Sequence, residues 1–125
     1  MDYLILPTKS EPYQVFYLAA SPDGHAFQAR VELRWLPVPG LWFLSIADAI
    51  SGEVYVNQIP VICSYEVLND LLYPFRWLFR GSGIGSLFCL KAVDSPATPD
   101  PSRDNLSDFI ILWGDRWKED EDAAN

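Results

Sequence analysis

The chain holds a single histidine, His25, and its setting suits neither acid–base nor metal chemistry. It follows Ser21-Pro22-Asp23-Gly24, a strong turn signal that places it at the surface. One imidazole cannot supply a histidine-based metal cluster, and no serine or cysteine stands in a nucleophile motif. The carboxylates are better placed, since Asp94, Asp100, Asp104 and Asp108 lie in or beside a proline-rich stretch. Oxygen clusters of that kind hold Ca²⁺. Their spacing, however, lacks the alternate-position ligands, central glycine and distal glutamate of an EF-hand. Turn and cap chemistry is the better reading, with Arg103 expected to pair with its acidic neighbours. A hydrolase would need two carboxylates in a cleft, roughly 5–9.5 Å apart, and these acids fall in loops and the tail. Gly81-Ser82-Gly83-Ile84-Gly85-Ser86 has the composition of a phosphate loop. A phosphate loop needs a helix N-terminus after it, usually with a lysine. Here a strand-like segment follows and the next lysine is Lys91, so a flexible hairpin loop is expected. The sequence therefore predicts no catalytic residue, no cofactor and no metal ligand.

Contact with other proteins is a stronger candidate. Five Trp, seven Phe and six Tyr are a heavy load for 125 residues, and each such ring can bury roughly 150–250 Å². A small interior cannot hold them all, so some belong at an interface. Arg76-Trp77-Leu78-Phe79-Arg80 is bulky on both faces. Arg76, Trp77, Phe79 and Arg80 are the expected interface residues, together with Trp42 and Phe43. Basic and aromatic residues can also stack bases, but 9 basic against 17 acidic residues leave a net charge of −8. That balance argues against a nucleic-acid footprint and against anionic lipid. An alternative is a carbohydrate- or ligand-binding β-module in which Trp35, Trp42 and Trp77 form a stacking platform.

The elements that must position these residues are mostly strands. Residues 3–6 form a short apolar run ended by Pro7, and residues 13–18 are rich in β-formers. Over residues 26–35 the alternation is plain: Phe27, Ala29, Val31, Leu33 and Trp35 share one face, and Gln28, Arg30, Glu32 and Arg34 the other. Residues 41–47 and 53–58 continue this into an antiparallel meander. Ser64 is expected to cap one short helix, with Val67, Leu68, Leu71 and Leu72 at helical spacing, ended at the latest by Pro74. Phe75, Trp77 and Phe79 alternate with Arg76, Leu78 and Arg80, a strand-like pattern. Residues 87–93 and 109–113 are the remaining strands, separated by a stretch with Pro96, Pro99 and Pro101 that fits neither a helix interior nor a central strand. The expected fold is mainly β: a single antiparallel β-barrel or sandwich domain over residues 1–117 with one short helix. An acidic tail follows over residues 118–125, where Lys118 stands beside Glu119, Asp120, Glu121 and Asp122.

Cys63 and Cys89 sit in apolar company and are expected as buried free thiols rather than a disulfide. Met1-Asp2-Tyr3 lacks the basic start of a signal peptide, and no apolar run nears the ~20 residues that span a bilayer. The expectation is a protein made in a cytoplasm that remains there or joins an assembly.

One ordered set of segments goes further. Leu4-Ile5-Leu6-Pro7 opens it, and Leu41-Trp42-Phe43-Leu44 leads to Asp48 and a turn at Ser51-Gly52. Asp100-Pro101-Ser102-Arg103-Asp104-Asn105-Leu106 then precedes the closing Phe109-Ile110-Ile111-Leu112-Trp113. Over residues 3–114 this order resembles the baseplate plug family of contractile-tailed bacteriophages. In the middle, Ile59-Pro60-Val61-Ile62-Cys63 departs from the glycine-rich apolar stretch usual there. The resemblance implies a structural virion protein of the tail baseplate, assembled in the host cytoplasm. It would pack where tail tube, hub and spike meet, with those proteins and symmetric copies of itself as partners. It implies no cofactor and no enzyme activity.

Overall fold

A computed structural model of the chain describes residues 3–24, 26–64, 68–81 and 83–115. Seven strands run through it: β1 (Tyr3–Ile5), β2 (Tyr13–Ala20), β3 (Phe27–Leu36), β4 (Leu41–Asp48), β5 (Val54–Pro60), β6 (Ser86–Lys91) and β7 (Phe109–Gly114). They form two antiparallel sheets, one of three strands in the order β1-β7-β6 and one of four in the order β2-β3-β4-β5. The sheets pack as a sandwich and do not close into a barrel, which resolves the alternative left open by the sequence.

The four-stranded sheet follows from the alternation in β3. Ala29, Val31 and Leu33 are fully buried; Ile46 and Leu44, across from Val31 and Leu33, are too, as is Trp42, across from Trp35. The facing sheet contributes Leu87, Cys89, Ile111 and Trp113. Each large apolar side chain sealed this way stabilises the fold by roughly 1.5–3 kcal/mol, before the entropy of ordering it. Past β5 the chain changes layers. Val61 N–H still reaches Trp42 C=O at 2.8 Å, then Cys63 bridges Cys89 in parallel and Ser64 N–H donates to Cys89 C=O at 2.7 Å.

The expected short helix is not seen among the described residues, although positions 65–67 lie outside them. Asp70 explains why residues 68–72 do not coil. Its Oδ1 accepts the N–H of Leu72 at 2.9 Å and of Leu87 at 3.0 Å, and Leu71 N–H donates to Leu87 C=O at 2.9 Å. Backbone groups a helix would use are committed to the edge of β6. Pro74 lies inside a 3-10 turn, Tyr73–Phe75. The strand expected from Phe75 onward is instead a run of tight turns, with Phe79 and Arg80 left-handed at φ 53° and 58°. Leu78 N–H bonds back to Phe75 C=O, and Gly83 N–H to Leu78 C=O. Phe75, Leu78 and Phe79 then pack on the core while Trp77 points away, the three-to-four spacing of turns rather than the period of two.

The proline-rich stretch is tied down at several points. Trp42 Nε1–H donates to Ser102 C=O at 2.8 Å, and Asp100 Oδ1 accepts from Cys63 N–H at 2.8 Å. Asn105 Oδ1 takes both the N–H and the hydroxyl of Ser102. Among the described residues Arg103 pairs with no acid; its guanidinium reaches across to Ser10 C=O.

Candidate protein-interaction surface

The residues singled out from the sequence divide into two groups. Trp42 is fully buried in the core, so it is a packing residue and cannot meet a partner. Phe79 is half-buried and edge-on to Tyr55, with centroids 5.0 Å apart; Tyr55 meets Phe27, and Phe27 meets Trp113. That aromatic chain joins the turn segment to the core. Arg76, Trp77 and Arg80 are exposed, and Trp77 is 67% accessible. The Arg76 guanidinium lies 4.0 Å from the Tyr73 ring centre and donates to Tyr73 C=O, which holds a flat cation–π pair beside Trp77. Phe43 is half-buried on the outer face of β4, opposite Arg34 and Pro60.

The three-ring platform needed by the ligand-binding alternative does not form. Trp35 is half-buried against the buried Trp42, their centroids 5.8 Å apart, and Trp77 belongs to the separate turn segment. Among the described residues no group of three or more His, Cys, Asp or Glu side chains is arranged to hold a metal ion. His25 and the acidic tail lie outside the described residues. The glycine loop, expected to be flexible, has Gly83, Ile84 and Gly85 buried, with Ile84 C=O accepting from Trp113 Nε1–H at 2.8 Å. A backbone sealed in this way offers no cradle to a phosphate.

The surface that residue-by-residue reading missed is the outer face of the three-stranded sheet. Register places Ile5, Leu112 and Phe88 in one row across β1, β7 and β6, and Ile110 beside Leu90 in the next. Tyr3 stands on the same face, its ring 6.0 Å from that of Phe88 and its hydroxyl donating to Asp115 C=O. None of these six side chains is charged. Ile5 is 67% accessible, Tyr3, Leu90, Ile110 and Leu112 are half-buried, and Phe88 is buried. The opposite face of the same sheet is the core. A sheet that is apolar on both sides has the composition of a middle layer. The signal was present in the sequence: Phe109-Ile110-Ile111-Leu112-Trp113 does not alternate, and Leu87 to Leu90 is equally unbroken.

Hydrogen bonds from the N–H of Ser51 and of Ile50 hold the Asp48 carboxyl below the usual carboxylate range. Burial, foremost, pushes the Cys63 and Cys89 thiols up. No protein-family model and no curated protein matches the chain.

Proposed function

We propose that the chain is a non-catalytic assembly subunit that works by seating the outer face of its three-stranded sheet on another protein. The observation that carries this reading is the group Ile5, Leu112, Ile110 and Leu90 around the buried Phe88, an apolar face on the far side of a sheet whose near side is already the core. Contiguous apolar surface of this kind is characteristic of an interface core. Tyr73, Arg76 and Trp77 add exposed residue types enriched at interface hot spots. The assembly we propose is the baseplate of a contractile bacteriophage tail, with tail tube, hub and spike proteins as partners. Support for that step is the ordered resemblance of the sequence motifs.

Co-expression with tail tube, hub and spike proteins encoded by neighbouring genes tests it. The wild-type chain should co-purify with at least one of them, and Leu112→Lys should abolish this while leaving the circular dichroism spectrum intact. The reading fails if the wild-type chain co-purifies with none of the three, or if Leu112→Lys binds as well as wild type.

A further inference from the structure

The two sheets present four outer edges, and three are blunted. β1 is three residues long and runs into Leu6 and Pro7. β5 shifts register against β4, carries Gln58 at φ 49° and ends at Pro60. β6 has its outer side occupied by Cys63, Ser64 and Leu71. Short strands, bulges, prolines and covering segments are how proteins prevent stray strand pairing. Among the described residues β2 has none of these. It is eight residues long, Tyr13-Gln14-Val15-Phe16-Tyr17-Leu18-Ala19-Ala20, with no charge, proline or glycine, and it pairs with β3 without a register shift.

The direction of its open backbone groups is fixed by one bond. Trp35 N–H donates to Pro12 C=O at 2.8 Å, so even-numbered residues of β2 turn their backbone groups toward β3. Tyr13, Val15, Tyr17 and Ala19 therefore turn theirs outward. No described residue hydrogen-bonds to them there. The same four side chains lie on the outer face, with Tyr17 68% accessible.

We propose that this edge pairs antiparallel with the β2 edge of a second copy about a two-fold axis, joining the two four-stranded sheets into one sheet of twice the width. An uncharged strand can lie against itself with no like charges opposite one another. An axis at Val15 sets Val15 against its own copy and Tyr13 against Tyr17 of the partner subunit, with about six exchanged backbone hydrogen bonds. The Tyr13 ring is already ordered: the Arg34 guanidinium lies 5.1 Å from it, and Arg30 donates to its hydroxyl at 3.4 Å. An acidic strand is a poorer occupant, because Glu32 already pairs with Arg30 at 3.1 Å and Arg34 at 3.5 Å. Across the joined sheet the two copies of β3 stand roughly 14 Å apart at the ~4.8 Å strand spacing, beyond the ~8 Å Debye length at physiological salt. This contact uses the sheet opposite to the apolar face and does not depend on it.

Sedimentation velocity and amide exchange on the full chain decide the matter. Wild type should sediment as a dimer, with the Val15 and Tyr17 amides protected. Val15→Pro removes only an outward N–H, which an edge strand tolerates. It should raise the dimer dissociation constant about 100-fold or more without changing the circular dichroism spectrum, and Tyr17→Lys should do the same. A wild-type chain that stays monomeric overturns the proposal, as does a dimer whose Val15 and Tyr17 amides exchange as open groups. A dimer that survives both substitutions and breaks with Leu112→Lys also overturns it, placing the contact on the apolar face. If Val15→Pro misfolds, Tyr17→Lys and the amide exchange of wild type carry the decision.

Discussion

Trp113 and Ile84 are joined by a 2.8 Å hydrogen bond from the indole N–H to the backbone carbonyl, with both residues sealed from solvent. The bond pins the entry to β6 against the end of β7. Trp113→Phe keeps a ring in place but leaves the Ile84 carbonyl buried and unpaired. The expected loss is about 1–3 kcal/mol, read as a lower urea midpoint at unchanged slope. A variant as stable as wild type would show that the carbonyl finds another partner.

Gly85 should be irreplaceable for a steric reason. Its φ is 92°, and a β-carbon there would overlap the Gly114 carbonyl and press on Pro22. The obstacle on the Gly114 side is backbone in a paired strand, which cannot swing aside. Gly85→Ala is expected to cost more than about 3 kcal/mol. Gly52 at φ 79° has open space around it, so Gly52→Ala should cost only the backbone strain, roughly 1 kcal/mol. Equal losses at the two positions would refute the close-approach argument.

Cys63 and Cys89 should be inert in the folded protein. Both are buried, and burial raises the pKa of each. A thiol that holds its proton more tightly when folded contributes stability below its unfolded pKa, near ~8.5. That contribution is lost as pH climbs toward the folded value. Iodoacetamide at neutral pH should label neither until denaturant is added, and the urea midpoint should fall above about pH 9. Rapid labelling of both thiols in the native state would contradict the packing.

Asp48 has the opposite sign. Its lowered pKa means the turn after β4 is favoured above the ordinary carboxylate range and loses that support as pH falls through the folded value. Asp48→Asn keeps an acceptor for the N–H groups of Ile50 and Ser51 but removes the charge. Wild type should be the more stable at pH 7, with the difference shrinking below about pH 4. A difference that is constant from pH 7 to pH 3 would count against the charge.

Strands with one wet face were legible because alternation is a local signal. The strand expected over residues 26–35 is β3 within a residue at each end, and the meander through β4 and β5 lies where the turns at Gly40 and Gly52 put it. Segments governed by distant partners were not. Whether Leu68, Leu71 and Leu72 coil depends on Asp70 reaching Leu87, seventeen positions away. Trp42 and Trp77 look alike as residues, yet one is in the core and the other at the surface. Only the position of the Ser102 carbonyl, sixty residues on, gives the Trp42 indole its buried partner. The apolar face was visible as missing alternation in residues 109–113, but a strand buried on both sides and one with a half-exposed apolar face read identically.

The pairing of β1 with β7 has a consequence for how the molecule comes into being. The four-stranded sheet is contiguous in the chain and is complete by Pro60, so its pairings close over short loops. The three-stranded sheet joins Ile5 to Leu112 and cannot form before β7 has left the ribosome. Until then the inner face of the meander, with Val31, Leu33, Leu44 and Ile46, has no lid. During synthesis the nascent chain is thus a half-sandwich, the stage at which a chaperone would have most to hold and crowding most to harm.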